Sequence, residues 1–311
     1  MARYAVIDVG TNSVKLHIGE RRGDGHWNRV ADRGVVTRLG EGLPPGGGLL
    51  SPAASERTLR ALADLAAEAQ RAGVQAVAAV GTMALRTASN GAGFVAEVER
   101  QTQLRIEVLS GEEESRLACL AVASGLGLAP GTMVIFDTGG GSTQFTFARG
   151  AAVLNRLSVS VGAVRVMEAH RLEGAVTRAN LQQALDAVAA ELACLDGLDR
   201  PEVLVGMGGG VVTLAAVMFE LTHYDPDRIQ GAVLPRAEVW RQVELYRSCP
   251  TELRRQIPGL QPQRAEVILA GACIIWTILK KLRKTSLTVS DRGLRHGVLV
   301  DRFGTYKGRQ K

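Results

Sequence analysis

The chain has 311 residues, enough for two ordinary domains, and its content of 46% hydrophobic and 22% charged residues argues against disorder. The net charge of +6 favours polyanionic partners in general, but with only 4% aromatic residues and no basic stripe among them we expect no nucleic acid. The four cysteines form no Cys-x-x-Cys pair and have no nearby histidine, which argues against a disulfide framework or a zinc site and for a reducing cytoplasm.

The first half predicts three strands followed by alternating helices and strands. The chain enters a strand by Tyr4, which leaves no room for a signal peptide, and no apolar run approaches the ~20 residues of a membrane helix. Ser51 is expected to cap a helix that has Pro52 at its first position and ends at Gly73. The other predicted elements are strands at 4–10, 14–22, 28–40, 74–82 and 105–110, and helices at 90–103 and from Gly111.

The second half restarts this order of elements after a loop at 125–132, the best candidate boundary. A hairpin is expected at 133–150, continued by sheet through 152–166, then a helix at 177–196 capped by Thr177. A strand at 202–210, a helix start at 211–217, a buried helix from about Arg264, a strand at 286–291 and a short helix at 292–303 follow. We therefore expect two related α/β domains, 1–125 and 126–299, with a cleft between them and the first completed by a C-terminal helix at about 300–311.

The same acidic turn occurs twice, in "AVIDVGTNSVKLHIG" at 5–19 and "VIFDTGGGSTQFTFARG" at 134–150. Asp8, Gly10 and Ser13 align with Asp137, Gly139 and Ser142 at a constant offset. Backbone N–H groups and a hydroxyl in such a turn suit phosphate oxygens, whereas the carboxylate would repel them unless a cation lies between. The pairing therefore suggests magnesium and phosphate, with two facing turns gripping phosphate from both sides.

Glycine-rich segments add to this pattern. The three successive glycines at 139–141 are costly to order and are expected where a ligand approaches the backbone closely. A third glycine loop at 205–214 follows a strand and precedes a helix, which fits anion contact at a helix N-terminus. Close packing of helix against sheet explains this loop equally well.

Seven motifs, in this order along nearly the whole chain, resemble those of the exopolyphosphatase/guanosine-pentaphosphatase (Ppx/GppA) family, within the superfamily of actin, sugar kinases and heat-shock chaperones. Each is modest, but together they are highly specific. They are "DVGTNSVKL" at 8–16, "GTMALRTASN" at 81–90, "SGEEESRL" at 110–117, "DTGGGSTQ" at 137–144, "SVGAVR" at 160–165, "GMGGGVVTLAA" at 206–216 and "VSDRGLRHGVL" at 289–299.

This resemblance implies the short form of the family: an α/β fold of two duplicated actin-like (ribonuclease H-like) domains. It also implies a reaction in which water attacks a terminal phosphoryl group with the help of Mg²⁺ (or Mn²⁺). The substrates it implies are inorganic polyphosphate and guanosine penta- or tetraphosphate, hydrolysed by a cytoplasmic enzyme of the stringent response. It favours a homodimer. The lack of a long apolar run, noted above, gives the separate expectation of no membrane partner.

The family's motifs imply roles for individual residues. Glu114 would be the catalytic base, Arg86 would offset charge on the phosphates, and Asp137 would lie near the metal or the attacking water. Phosphate contacts are implied at two turns and the glycine loop: Gly10, Thr11, Asn12, Ser13, Gly139, Gly140, Gly141, Ser142, Thr143, Gly208 and Gly209. Metal contacts are implied at Asp8, Asp137 and Gln144.

One departure from the family pattern lies at Gln144, where glutamate is usual. Glutamine supplies no negative charge, so the protein should be slower or bind metal more weakly if that charge matters, and unaffected if the side chain only hydrogen-bonds. Lys15 holds the same position after the first turn, and contact with polyphosphate or with solvent is equally expected. Arg165, Arg292 and Arg295 are expected to line an anionic groove, and His296 to be structural or exposed.

Two other functions compete with hydrolysis. A non-catalytic alarmone or nucleotide sensor on the same scaffold stays open because of Gln144. A sugar or acyl kinase of the superfamily would need ATP and a second substrate, and the "EEESR" segment counts against it.

Overall fold

The computed structural model describes residues 1–23, 26–44, 46–127, 131–150 and 152–304. Packing divides the chain into two units, Met1–Ser124 with Leu294–Lys311, and Gly125–Gly293. The predicted boundary loop and the predicted C-terminal helix lie partly outside the described residues. No helix in the described ranges combines the length and hydropathy needed to cross a bilayer.

The described residues form eleven strands and twelve α-helices. The strands are β1 (Ala2–Val9), β2 (Ser13–Arg21), β3 (Trp27–Val36), β4 (Ala76–Gly81), β5 (Ile106–Val108), β6 (Thr132–Thr138), β7 (Thr143–Arg149), β8 (Ala152–Val159), β9 (Val203–Met207), β10 (Val233–Pro235) and β11 (Ser286–Ser290). The helices are α1 (Pro52–Arg71), α2 (Met83–Thr87), α3 (Gly91–Thr102), α4 (Gly111–Leu126), α5 (Ala163–His170), α6 (Arg178–Glu191), α7 (Gly209–Met218), α8 (Pro226–Ile229), α9 (Arg236–Ser248), α10 (Thr251–Arg254), α11 (Ile268–Lys281) and α12 (Leu294–Phe303).

The two sheets follow one plan. In the first unit the strand order is β3-β2-β1-β4-β5, with β1, β2 and β3 antiparallel and β4 and β5 parallel to β1. In the second unit the order is β8-β7-β6-β9-β11-β10, where β6, β7 and β8 repeat the antiparallel part and β9 and β11 the parallel part. The predicted duplication is therefore confirmed, with β10 added at one edge of the second sheet.

The start of α1 shows how local sequence fixes an element. The Ser51 hydroxyl accepts a hydrogen bond from the Ala54 amide at 3.2 Å, and Pro52 occupies the first turn, where its missing N–H costs nothing. Leucines 62 and 65 of α1 are buried against the sheet of the first unit. This predicted cap and helix are confirmed.

The main errors of the sequence predictions concern short helices. The sheet predicted through 152–166 is wrong beyond Val159, because Ala163–His170 forms α5. Between the strand predicted at 74–82 and the helix predicted at 90–103, the chain forms the unpredicted short helix α2, which carries Arg86. The buried helix predicted from Arg264 begins at Ile268, after a 3₁₀ turn at Pro262–Arg264.

Candidate active site

The two acidic turns have the same backbone hydrogen bond. Gly10 N donates to Ser13 O at 3.0 Å, and Gly139 N donates to Ser142 O at 2.9 Å. In the strand register Asp8 lies opposite Lys15, and Asp137 lies opposite Gln144. The repeated turn is therefore a real structural repeat, with a different side chain facing each aspartate.

The loop after β3 supports the first turn. Gly40 N donates to Thr11 O at 2.9 Å, while the amides of Thr37 and Arg38 donate to Asn12 O at 3.1 and 2.9 Å. These bonds occupy the carbonyl groups of the turn, which fixes its backbone from one side. Asn12 itself is exposed and so can contact a ligand.

The N-terminus of α5 supports the second turn. Ala163 N donates to Gly139 O at 2.9 Å, and the amides of Val164 and Arg165 donate to Gly140 O at 2.9 and 3.1 Å. Helix amides that have no partner within their own helix thus bind the turn's carbonyls. This contact explains the "SVGAVR" motif, and it places Arg165 beside the glycine turn.

Thr143 follows the second turn at the start of β7. It is fully buried, and its hydroxyl donates to Val161 O at 2.7 Å, which ties β7 to the segment before α5. This geometry favours a supporting role for the Thr143 side chain. By contrast, Gly139 and Gly141 are exposed, so a ligand can reach their backbone.

Arg86 and Glu114 lie together in the first unit although 28 positions separate them in the chain. Arg86 Nη1 lies 3.1 Å from Glu114 Oε2 and 2.7 Å from the carbonyl oxygen of Leu109, to which it donates. Both side chains keep a solvent-facing part, with exposed fractions of 33% and 22%. The structure thus brings together the two residues that the resemblance implies as base and phosphate-binding arginine.

The neighbouring carboxylate of Glu113 is engaged elsewhere. Arg116 donates to both of its oxygens, at 2.9 and 2.7 Å, and this hydrogen bonding holds the pKa of Glu113 below its usual range. Such a carboxylate is a poor proton acceptor at neutral pH. Of the other two glutamates in this run, Glu112 is exposed, whereas Glu114 is half-buried and pairs with Arg86.

Arg264 is a candidate residue that the sequence analysis missed. Its guanidinium lies against Gly209, where any side chain would clash with it, and its Nε donates to Gln261 Oε1 at 3.1 Å. Burial lowers the pKa of Arg264, and the nearby charge of Asp137 opposes that shift. No local pattern marks this arginine, since it lies in the irregular turn before α11.

The third glycine loop brings Asp137 into the same place. Gly208 has a φ of +88°, which favours glycine, and a side chain there would meet Asp137 Oδ1. Asp137, Gly208, Gly209 and Arg264 therefore cluster at the N-terminus of α7. Close approach of side chains, rather than packing of helix on sheet alone, accounts for these glycines.

The chemistry of the second turn fits an oxygen-ligand cation such as Mg²⁺. Asp137 is half-buried and lies opposite the exposed Gln144, whose Nε2 donates to Ser142 Oγ at 3.2 Å. The Asp137 carboxylate and the Gln144 amide oxygen are both hard ligands, with one negative charge between them. Asp8 is a less accessible ligand, because only 8% of it is exposed.

Comparison with known proteins places the chain in a family. A profile of the Ppx/GppA phosphatase family matches residues 6–305. The chain belongs to this family. The predicted enzyme class, a phosphoanhydride hydrolase, is confirmed at this level.

Relatives of both named activities are similar to the chain over nearly all its length. Exopolyphosphatase 2 of Mycobacterium tuberculosis is 28% identical, with 98% of this chain and 99% of that protein covered. Guanosine-5'-triphosphate,3'-diphosphate pyrophosphatase of Vibrio atlanticus is 30% identical, and the match spans 96% of this chain but 60% of that protein. The solved structure of the Aquifex aeolicus member of the family is 33% identical, with a TM-score of 0.83 and 97% of each chain covered. The predicted duplicated actin-like α/β fold is confirmed by this likeness.

Proposed function

We propose that the protein is an exopolyphosphatase that releases terminal phosphate from inorganic polyphosphate by Mg²⁺-dependent hydrolysis. The observation that carries the proposal is the Arg86–Glu114 pair, because it joins a carboxylate to a phosphate-binding cation at 3.1 Å. Similarity over the full length of an exopolyphosphatase supports the substrate. The net charge of +6 suits a polyanion.

In this proposal Glu114 orients the attacking water and accepts its proton. Arg86 binds an oxygen of the terminal phosphoryl group, and its hydrogen bond to Leu109 O keeps the guanidinium in place. Arginine forks stabilise charge on phosphoryl oxygens, and such electrostatic contacts provide most of the catalysis in phosphoryl transfer. In the first unit, the backbone amides of the first turn bind further phosphate oxygens.

The second turn would hold the cation. Asp137 and Gln144 supply the oxygen ligands, while Arg264 and the amides of Gly208 and Gly209 bind phosphate oxygens. When bound, Mg²⁺ supplies positive charge that offsets the charge of the phosphate chain.

Hydrolysis of guanosine pentaphosphate is the second candidate, and a cavity in the second unit favours it. The cavity has a volume of about 450 Å³ and is lined by α7 and the loop before α11, with Tyr224, Ile257 and Leu260 among its walls. It also includes Gln261, the hydrogen-bond partner of Arg264. A nucleoside there would extend from phosphates bound beside Arg264.

A substrate panel tests the proposal. The purified protein is incubated with long polyphosphate, short polyphosphate, guanosine pentaphosphate and ATP, and Mg²⁺ is titrated in each reaction while released phosphate is measured. We expect polyphosphate to be turned over fastest, and Glu114→Gln to lower that turnover by about 10²–10⁴-fold. Faster turnover of guanosine pentaphosphate would favour the second candidate, and nucleotide binding without any turnover would favour a sensor.

A further inference from the structure

A cluster of metal-ligating side chains lies in the first unit, apart from the residues assigned above. His17, Asp32 and His296 each offer one ligand atom, and these atoms lie within 4.8 Å of one another. They come from β2, β3 and the first turn of α12. His17 and His296 lie near opposite ends of the sequence, so the fold brings them together.

The position of each residue follows from the fold. His17 lies opposite Asp32 in the β2–β3 register, which puts their side chains on the same face of the sheet. Helix α12 packs on that face, because Leu299 lies against Gly19. His296 therefore meets His17, with ring centroids 4.5 Å apart.

The distance between the ligand atoms of His17 and Asp32 suits a small cation. His17 Nδ1 lies 3.2 Å from Asp32 Oδ2. Ligands about 2.0–2.1 Å from a tetrahedral zinc ion are roughly 3.3 Å from one another. Only His296, which is half-buried, would have to move inward to complete three ligands.

The surroundings resemble the outer shell of a metal site. The His17 side chain is only 4% exposed. Arg295 Nε lies 3.0 Å from Asp32 Oδ1, yet among the described residues neither atom completes a hydrogen bond. This ion pair engages Oδ1 of the carboxylate while Oδ2 faces His17, and partners of ligating carboxylates orient them in this way.

We propose that His17, Asp32 and His296 form a binding site for a divalent transition ion of the zinc type, which fastens α12 to the β2–β3 hairpin. Two imidazoles and one carboxylate select such an ion over Mg²⁺, which prefers oxygen ligands alone. A fourth position would be filled by water. The scattered cysteines argue against a zinc site built on cysteine, whereas this cluster consists of two histidines and an aspartate that the fold brings together.

The site differs from the proposed magnesium site in chemistry and in role. Lys15, two residues before His17 on β2, lies opposite Asp8, so the ion would also stiffen the strand that follows the first acidic turn. The role is structural, because none of the three ligands is assigned to phosphate or water. Removal of the ion should therefore lower the melting temperature while changing turnover little.

Zinc and cobalt binding to the full-length, chelator-stripped protein test the proposal. We expect one Zn²⁺ per chain by calorimetry, a rise in melting temperature with Zn²⁺, and visible absorption bands of bound Co²⁺ typical of mixed nitrogen and oxygen ligands. His296→Gln and Asp32→Asn should each weaken binding by more than the about 10–100-fold that loss of a second-shell partner costs. His170→Gln, at the end of α5, is the matched control and should bind as the unmodified protein does.

His296→Gln is the decisive variant, since it leaves the His17–Asp32 hydrogen bond intact. If unmodified protein binds no stoichiometric Zn²⁺, or if His296→Gln binds it equally well, the cluster is a hydrogen-bonded network and the proposal is wrong. Phosphate release with Mg²⁺ is measured in parallel. Failure of that activity with intact Zn²⁺ binding would contradict the proposed function alone.

Discussion

The first and second acidic turns share a backbone hydrogen bond, but the two units that contain them differ in their candidate site side chains. Both close with the same glycine-to-serine hydrogen bond, at 3.0 and 2.9 Å. The first unit has a carboxylate beside an arginine, Glu114 and Arg86, whereas the second has an aspartate near a half-buried arginine, Asp137 and Arg264. Duplication thus supplied the same turn twice. Under the proposed function, the first unit would activate water and the second would bind anion and cation.

Among the substitutions that compare the two units, Glu114→Gln in the first unit should have the largest effect on turnover. The amide can still accept the hydrogen bond of Arg86 but cannot take a proton from water, so the turnover number should fall by about 10²–10⁴-fold with little change in stability. Initial rates of phosphate release at saturating Mg²⁺ measure this. Glu112→Gln, in the same first turn of α4, is the control, and an equal effect of both substitutions would remove Glu114 from its role.

Arg264 tests whether the second unit contributes charge stabilisation of its own. Arg264→Gln removes a guanidinium held against Gly209 and should lower kcat/KM by about 10²–10³-fold, as the loss of one preorganised donor does. Arg264→Lys restores the charge without the planar fork and should recover only part of this loss. Rates across a range of substrate concentrations separate KM from kcat.

The control for Arg264 is Arg255→Gln, which changes an exposed arginine paired with Glu266. It should leave both constants unchanged. Unaltered kinetics in Arg264→Gln would show that the second unit binds substrate without this arginine.

Local features of the sequence predicted most of the helices and hairpins. The residues that only tertiary contacts bring together could not be predicted. Ser51 before Pro52 fixes the start of α1, and the repeated Asp-x-Gly turns indicate duplicated hairpins, because each signal lies within a few residues. Arg264 and the cluster of His17, Asp32 and His296 depend on tertiary proximity, which no spacing records. The sequence does not predict helix α5, because its N-terminal amides bind the carbonyl groups of a distant turn, and the valines at 161, 164 and 166 suit a strand equally well.

The supports of the two turns should differ in their tolerance of a methyl group. In Gly162→Ala the new Cβ would meet backbone atoms of Gly140 and Gly141, whereas in Gly40→Ala it would meet the Thr11 side chain. Backbone cannot rotate away, so Gly162→Ala should lower the free energy of unfolding by about 1–3 kcal/mol and Gly40→Ala by less. Urea midpoints followed by circular dichroism measure both.

Thr11→Ser sharpens this test, because it removes the methyl group that Gly40→Ala would meet. The double variant should therefore regain most of the midpoint lost by Gly40→Ala. The explanation fails if the two glycine variants lose equal stability, or if Thr11→Ser brings no recovery.

The smallest expected effect concerns the residue facing each aspartate. Gln144→Glu places a second negative charge opposite Asp137, which should tighten the apparent Mg²⁺ affinity by about tenfold, or ~1.4 kcal/mol. Phosphate release at limiting Mg²⁺ measures the change, and at saturating Mg²⁺ the difference from the unmodified protein should largely vanish.

The matched substitution in the first unit, Lys15→Gln, should leave the Mg²⁺ dependence unchanged, because the second turn is the proposed cation site. If Gln144→Glu instead lowers activity at every Mg²⁺ concentration, the hydrogen bond from Gln144 to Ser142 is the feature that matters, and the cation ligands lie elsewhere.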